Sequence, residues 1–175
     1  MSRLYLIIIL LILLAFEGVA LDLLPSSIID SESLIISHWV LIFLIYISLF
    51  FDLKSTYHGV IYAAIFGLLI DIVYTDILGV YMFAYFITVY IVFLMGRSLK
   101  INLLGTIFLG IVGIILADML IYFIYYFISL TTISLKNYAY YRLLPTVLAN
   151  IIFLIVLYPF VNKRLQRWQE KELNL

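Results

Sequence analysis

The run Leu103–Ile128 reads LLGTIFLGIVGIILADMLIYFIYYFI, and it decides the class of protein to which the chain belongs. Its 26 residues contain a single charged side chain, Asp118. A helix needs roughly 20 mostly apolar residues to cross the hydrocarbon core of a bilayer. The run therefore predicts a membrane-spanning helix that is longer than the core is thick, so that it tilts or projects beyond the bilayer.

Apolar runs of this kind fill most of the chain. Of its 175 residues, 67% are hydrophobic and 11% are charged, and the mean hydropathy is +1.25. Soluble domains carry about twice that fraction of charge, so a water-soluble fold is excluded. The sequence predicts an all-α integral membrane protein with a six-transmembrane-helix bundle as a single membrane domain, residues 1–175. The predicted spans are residues 4–21, 34–51, 59–74, 78–95, 103–128 and 143–161, and residues 162–175 form a cytoplasmic juxtamembrane tail.

Basic residues are divided unevenly between the two ends of this predicted bundle. Lysine and arginine accumulate on cytoplasmic loops. With the N-terminus in the cytoplasm, eight basic residues lie inside, whereas two, Lys136 and Arg142, lie outside. The pattern predicts that both termini are cytoplasmic. The inner residues are Arg3, Lys54, Arg97, Lys100, Lys163, Arg164, Arg167 and Lys171, and the acidic residues of the outer loops are Asp22, Asp30, Glu32 and Asp76.

The first apolar run has a second interpretation, as a secretory signal peptide. Arg3 would provide its basic start, and the small residues 18–20 would form the cleavage site. Glu17 lies directly before that site, and the rest of the chain is polytopic. We therefore expect the run to remain as the first span.

Residues that carry enzyme chemistry are scarce. The chain has no cysteine, which excludes disulfides, thiolate metal sites and thiol nucleophiles. Its two histidines, His38 and His58, each lie where a helix is expected to meet the membrane interface, and they are too few for a histidine-rich metal site. The sequence also lacks a phosphate-binding loop, a serine nucleophile motif and zinc-ligand spacing. We expect no enzyme activity, no cofactor and no metal.

Three carboxylates lie within predicted spans, namely Glu17, Asp71 and Asp118. A charge in hydrocarbon costs at least ~2.5 kcal/mol, so such residues usually face protein or a water-filled cavity. Counted at about 1.5 Å per residue, all three lie roughly 20 Å above the inner ends of their helices, and Asn150 of the sixth span lies about 16 Å above its own. The sequence therefore predicts a buried polar layer of these four residues in the outer half of the bundle.

The sequence leaves the role of this polar layer open. No lysine or arginine lies within a predicted span to neutralise it. Carboxylates that cluster without a cation tend to hold a proton, because desolvation and mutual repulsion both disfavour the charge. Three roles stay open: hydrogen bonding between helices, contact with polar groups on a partner's transmembrane helix, and binding of Na⁺ or H⁺ for coupled transport.

Small residues form a stripe on the third span and a comparable face on the fifth. Small side chains let helices approach closely in lipid, where no hydrophobic force drives helices together. The two faces predict helix-packing surfaces, either within the bundle or against a partner. The stripe consists of Gly59, Ala63 and Gly67 and ends at Asp71, and the second face consists of Gly110, Gly113 and Ala117, next to Asp118.

Aromatic residues bracket several predicted span ends. Tyrosine and tryptophan prefer the headgroup layer, so we interpret them as an interfacial belt, with Trp39 on the outer side and Trp168 on the inner side. The helical pattern continues past the last span with Val161, Leu165 and Trp168 on one face, which suits contact with the anionic inner leaflet or with a cytoplasmic partner. The outer tyrosines are Tyr122, Tyr125, Tyr126, Tyr138, Tyr140 and Tyr141.

The third and fourth spans meet through a brief turn within residues 67–83, GLLIDIVYTDILGVYMF, which predicts a tight helical hairpin. This segment, with Gly67, Asp71 and Gly79, resembles the signature hairpin of MreD, the rod shape-determining membrane protein family of bacteria. The similarity extends over nearly the whole chain. It includes the chain length, Glu17 followed by Asp22, Asp118 in the fifth span, and Arg142-Leu-Leu-Pro145-Thr146 leading to Asn150.

The resemblance implies a non-enzymatic scaffold of the bacterial cell-wall elongation (rod) complex, located in the cell membrane and involved in regulating cell shape and peptidoglycan synthesis. Members of the family work beside the bitopic protein MreC and the actin-like MreB, with the glycosyltransferase RodA and a class B penicillin-binding protein in the same assembly. Combined with the small faces, it suggests that the third and fifth spans receive the transmembrane helix of MreC. The buried carboxyls would then fix its register by hydrogen bonding.

The family is also similar in fold to the substrate-binding subunits of energy-coupling-factor transporters. That similarity implies an alternative function, a small-molecule (vitamin) binding subunit, which would need an outward-open cavity and a surface for an energising subunit. A carboxylate-gated ion pathway is a third class of function that the buried carboxylates leave open.

Overall fold

The computed structural model describes residues 2–19, 35–53, 55–99 and 101–173, and all regular structure in these ranges is helical. The expected all-α class is therefore confirmed. Two helices contain a wider π-helical turn, Ile47–Phe51 at the end of α2 and Ala139–Leu143 near the start of α6. The helices are α1 (Ser2–Val19), α2 (Trp39–Phe51), α3 (His58–Tyr74), α4 (Val80–Ser98), α5 (Leu103–Phe127) and α6 (Leu135–Leu173).

Four of these helices, α1, α4, α5 and α6, are long and apolar enough to cross a membrane. Helices α2 and α3 are also apolar but shorter, so the count of six spans stays a prediction. Residues 20–21 of the first predicted span and residue 34 of the second lie outside the described residues. So do the charged residues Asp22, Asp30, Glu32, Lys54 and Lys100.

The two ends of the helical bundle are defined by contacts between helices that are distant in sequence. Arg3 near the start of α1 donates from Nη2 to Oε2 of Glu172 near the end of α6, at 2.7 Å. We call this end of the bundle the terminal end. At the opposite end, which we call the far end, the Tyr74 hydroxyl donates to the carbonyl oxygen of Leu14 at 2.8 Å. Both described ends of the chain therefore lie on the same side of the bundle.

Helix α2 occupies the centre of the bundle. Its residues Val40–Tyr46 are all buried, and it contacts each of the other helices. A helix that is apolar on every side is suited to such an enclosed position. Helix α1, in contrast, lies at the periphery, because it buries only Leu6, Leu10 and Leu14 and leaves its remaining apolar side chains exposed or half-buried.

Helices α3 and α4 form the tight hairpin that the sequence predicts. A Cβ atom on Gly67 would lie 2.7 Å from the Cα of Met82 and 2.7 Å from the carbonyl oxygen of Tyr81, so only glycine permits this approach of the two backbones. Gly79 precedes α4 with φ = 98°, a left-handed conformation that glycine adopts without steric cost. Two glycines thus fix the spacing and the turn of the hairpin.

The other small residues of α3 also pack against this chain. Gly59 lies against Ser48 of α2 and the carboxylate of Asp52, and Ala63 is fully buried. The expected stripe of Gly59, Ala63, Gly67 and Asp71 is therefore a packing surface within the bundle. Its proposed use as a docking face for a partner's helix is corrected here, because neighbouring segments of the chain itself already cover it.

The small face of α5 leads to the same correction. A Cβ on Gly110 would collide with the side chain of Leu154 in α6, and one on Gly113 would lie 2.6 Å from Cδ1 of Ile45 in α2. Ala117 is fully buried. This face lets α5 pack closely on α2 and α6, which leaves no room on it for a partner's transmembrane helix.

Candidate functional site

The non-helical segment 35–38, which leads into α2 at the far end, is held by side chains of α6. Its backbone polar groups need partners because the bilayer core supplies none. Asn150 accepts a hydrogen bond from the backbone N–H of His38 at 2.7 Å and donates to the carbonyl oxygen of Ile36 at 2.7 Å. The Thr146 hydroxyl accepts from the N–H of Ile36 at 3.1 Å. Two side chains of α6 thus replace the pairing that a helix would have given this segment.

Glu17 of α1 completes this attachment. Its Oε2 atom accepts from the backbone N–H of Val40 at 2.9 Å, and its carbonyl oxygen accepts from the Ser37 hydroxyl at 3.1 Å. The first N–H groups of a helix have no acceptor within the helix. Glu17 therefore caps the start of α2 from a neighbouring helix.

Asp118 of α5 is fully buried, and it binds two donors of α6. The Tyr138 hydroxyl donates to Oδ2 at 2.6 Å, and Nη2 of Arg142 donates to Oδ1 at 3.2 Å. The expectation that no basic residue reaches the buried carboxylates is therefore wrong. Arg142 was assigned to an outer loop, but it lies in the π-helical turn of α6, and its side chain reaches inward to Asp118.

His38 connects this ion pair to α4. Its Nδ1 atom lies 2.9 Å from the Tyr85 hydroxyl, and its Nε2 atom lies 3.6 Å from Oδ1 of Asp118, which is too long for a hydrogen bond. Both rings are fully buried. His38 directly precedes α2, at a helix end as the sequence predicts, and its ring is turned into the bundle. We call the group formed by His38, Tyr85, Asp118, Tyr138 and Arg142 the far-end polar network.

Five of the six outer tyrosines fall into two groups, and the sixth, Tyr125, is half-buried. Tyr122 and Tyr138 are buried and stack on each other with ring centroids 4.0 Å apart, and the Tyr122 hydroxyl donates to a backbone carbonyl in the loop before α6. For these two residues the expected interfacial position is wrong. Tyr126, Tyr140 and Tyr141 are exposed, as residues of an interfacial belt would be.

Asp71 makes its hydrogen bonds in a different place, at the start of α4. Its Oδ2 atom accepts from the backbone N–H groups of Gly79 at 2.9 Å and Met82 at 3.1 Å. Its Oδ1 atom accepts from the backbone N–H of Tyr81 at 2.9 Å. The carboxylate thus caps α4 across the hairpin. Of the expected polar layer, Glu17, Asp118 and Asn150 converge around the start of α2, whereas Asp71 does not contact that segment.

At the terminal end, Asp52 caps the start of α3 in a similar way. It accepts hydrogen bonds from the backbone N–H groups of His58 at 2.9 Å and Gly59 at 2.8 Å, and its Oδ1 atom lies 3.1 Å from Nδ1 of His58. Burial raises the pKa of Asp52 above its ordinary value, and these hydrogen bonds oppose that shift. His58 is half-buried beside it.

Comparison with known proteins identifies the family. The family model described as rod shape-determining protein MreD matches residues 1–168. The chain belongs to the MreD family. It is 27% identical over 161 residues to the rod shape-determining protein MreD of Bacillus subtilis (strain 168). The aligned region covers 91% of this chain and 92% of the relative. No solved structure matches the chain significantly, so the expected likeness to energy-coupling-factor subunits has no support from known structures.

Membership of the MreD family confirms the resemblance seen in residues 67–83 and makes the chain a rod shape-determining membrane protein. The four long apolar helices agree with that assignment. Within the described residues, no cluster of histidine, aspartate and glutamate fits a metal ion. The carboxylates of Glu17, Asp71 and Asp118 instead accept hydrogen bonds from other helices. Of the three roles that the sequence left open, this geometry favours hydrogen bonding between helices.

Sequence reasoning missed four members of the far-end polar network: His38, Tyr85, Tyr138 and Arg142. Their contacts join helices that are far apart in sequence, and hydropathy carries no information on which way each helix is rotated. One signal was present for Arg142, because it is the basic residue directly before the last predicted span, which begins at Leu143. A cation at that point can turn either outward to water or inward to a buried carboxylate.

Proposed function

We propose that this chain is a non-enzymatic membrane scaffold of the bacterial cell-wall elongation complex, in which it helps to regulate cell shape and peptidoglycan synthesis. The observation that carries the proposal is the match of the MreD family model to residues 1–168. The proposed partners are MreC, through its transmembrane helix, and MreB, RodA and a class B penicillin-binding protein.

The geometry supports a scaffold because its buried polar groups serve the fold. Glu17 and Asp71 each cap a helix, and Asp118 joins α5 to α6. These are contacts that fix helices relative to one another, as interhelical hydrogen bonds do in membranes. A bundle whose helices are fixed in this way can present a constant outer surface to several partners at once.

The surface on which MreC docks lies, in this proposal, outside the small faces of α3 and α5. Those faces are covered by the chain's own helices, as Gly67 and Gly113 show. The outer faces of the helices carry exposed apolar side chains such as Ile8 of α1, Ile65 of α3 and Phe108 of α5. A single transmembrane helix can pack against such a face from within the bilayer.

Site-specific photo-cross-linking tests the docking. A photoreactive residue placed at Ile8, Ile65, Phe108 or Ile152 should capture MreC from one of these outer faces. The same residue at the fully buried Ala63 is the control and should capture none. If MreC is captured from none of the exposed positions, the proposal that the transmembrane helix of MreC docks on this chain fails.

Depletion of the chain in its own bacterium tests the cellular role. Rod-shaped cells should become round as the protein is lost, and re-expression of the wild-type chain should restore rods. Labelling of new peptidoglycan in the side wall measures the second part of the proposal and should fall in parallel with the change of shape. Cells that keep their rod shape after complete depletion would contradict the function.

A further inference from the structure

A groove opens on the outer surface of the bundle between α1 and α6. Ile9 and Leu13 of α1 form one wall, Leu157 of α6 lies in the other, and the buried ring of Phe43 from α2 lies between them. The groove encloses about 220 Å³. Its walls are apolar. Helices α1 and α6 are apart along the groove and contact each other at the terminal end.

The end of the groove nearest the terminal end is polar. Arg164 and Trp168 line it there, and the guanidinium carbon of Arg164 lies 5.8 Å from the Trp168 ring centroid. Arg164 is exposed, and no carboxylate of the described residues forms an ion pair with it. The ring of Tyr5 stacks on Trp168 with centroids 5.8 Å apart, which joins α1 to α6 beyond the groove.

The depth of the groove matches a single leaflet. The residues of α6 that line the groove run from Leu157 to Trp168, a rise of about 16 Å. Half of the hydrocarbon core of a bilayer is roughly 15 Å thick. A partner's transmembrane helix would need a channel along both leaflets, roughly twice this depth.

The charges around the groove favour an anionic occupant. Lys163, Arg167 and Lys171 lie on the same last turns of α6 as Arg164, and Glu170 lines the adjoining surface with Arg167 and Lys171. Glu172 is already paired with Arg3. Basic side chains at the membrane surface attract anionic headgroups, and tryptophan prefers the same layer.

We propose that this groove binds one anionic phospholipid, with an acyl chain between α1 and α6 and the headgroup phosphate on the guanidinium of Arg164. The groove supplies an apolar slot of one-leaflet depth, and Arg164 supplies a bidentate donor for the phosphate at its polar end. The lipid would cover the apolar walls that α1 and α6 leave unpaired. The proposal goes beyond the scaffold function, and the lining of the groove includes none of the positions Ile8, Ile65, Phe108 and Ile152 that test the docking of MreC.

Native mass spectrometry of the purified chain tests the proposal. The protein is exchanged into neutral detergent with equal amounts of phosphatidylglycerol and phosphatidylcholine. We expect one retained lipid and a preference for phosphatidylglycerol of about fivefold, the effect of one basic residue beside an anionic lipid. The Arg164→Gln variant should lose the preference. Lys171→Gln, which removes a charge outside the groove, should keep it.

A second pair of variants tests the apolar slot. Leu13→Trp fills the groove and should abolish retention of both lipids, whereas Ile12→Trp, which points the same ring away from the groove, should retain them. Arg164→Gln lies at an exposed position and carries the test even if Leu13→Trp does not fold. Equal effects of Arg164→Gln and Lys171→Gln, or of Leu13→Trp and Ile12→Trp, would overturn the proposal. So would thermal stabilisation by inorganic phosphate equal to that by phosphatidylglycerol.

Discussion

Asp71 shows how a carboxylate within an apolar helix of this protein can serve the fold. It is fully buried at the end of α3, and its two oxygens accept three backbone N–H groups at the start of α4. Those N–H groups have no acceptors within their own helix. A charged acceptor forms stronger hydrogen bonds than a neutral one, so the cost of burying the carboxylate is offset by these three bonds.

Replacing Asp71 with alanine should therefore destabilise the protein. Three N–H groups, one buried and two partly buried, lose their acceptor, and we expect the free energy of unfolding in detergent micelles to fall by about 2 kcal/mol or more. Asp71→Asn keeps one acceptor oxygen and should show a smaller loss. Asp76→Ala, which removes an exposed acid from the same turn, is the control and should change stability little. Equal losses for Asp71→Ala and Asp76→Ala would contradict the capping role.

The ion pair between Asp118 and Arg142 allows a sharper test. Removing one partner leaves the other charge buried or half-buried without compensation, so Asp118→Asn and Arg142→Gln should each cost about 3 kcal/mol. The double variant should cost less than the sum of the two, by about 1 kcal/mol or more. Unfolding of the four proteins by SDS in mixed micelles measures this coupling. Lys136→Gln, which removes an exposed cation nearby, serves as the control, and additive losses would show that the pair does not interact.

At this scale the sequence predicted some of the site and missed the rest. The cost of burying a charge was enough to predict that Glu17, Asp71 and Asp118 face protein. It was not enough to find Arg142, because a basic residue near a span end satisfies the rule for loops equally well. The pairing depends on the π-helical turn Ala139–Leu143, whose position is not visible in hydropathy.

Helix α2 shows the same limit at the scale of secondary structure. The apolar run predicted a span over residues 34–51, but the helix begins at Trp39, because the backbone N–H groups of Ile36 and His38 are bonded to Thr146 and Asn150 instead. Helix α5 instead begins at Leu103, as its apolar run indicated, since Asn102 caps it locally by accepting from the N–H of Gly105. Local caps can be read from a sequence, whereas caps supplied by distant helices cannot.

The spacing of α3 and α4 depends on Gly67, and its neighbours determine how costly a substitution is. In Gly67→Ala the new methyl group meets backbone atoms of Tyr81 and Met82, which cannot move without shifting α4. We expect a loss of about 1–3 kcal/mol, as in other overpacked cores. In Gly110→Ala the methyl group meets the tip of the Leu154 side chain, which can rotate, so the loss should be smaller.

Thermal unfolding of the two glycine variants in the same detergent checks this order. Both substitutions add one methyl group within a buried helix face, so helix propensity acts on them in the same direction. A larger loss for Gly110→Ala than for Gly67→Ala would show that the close approach of α3 and α4 does not control the packing of the hairpin.

For the whole molecule, the structure and the charge pattern agree that both described ends of the chain lie on the same side of the bundle. Arg3 and Glu172 are in contact, so the two described ends of the chain lie on the same side of the bundle, as an even number of crossings requires. The side on which they lie was inferred from the excess of lysine and arginine, a rule of membrane insertion that acts during synthesis.

The orientation can be measured directly, because the chain has no cysteine and each introduced thiol is unique. With six spans and cytoplasmic termini, Asp76→Cys and Lys136→Cys should react with a membrane-impermeant maleimide in intact cells. Ser55→Cys and Lys171→Cys should react only after permeabilisation. All four positions are exposed in the structure. Ser55 and Asp76 decide whether the shorter helices α2 and α3 cross the bilayer, since they lie at opposite ends of α3. If both react in intact cells, α3 does not span the membrane, and the count of crossings falls below six.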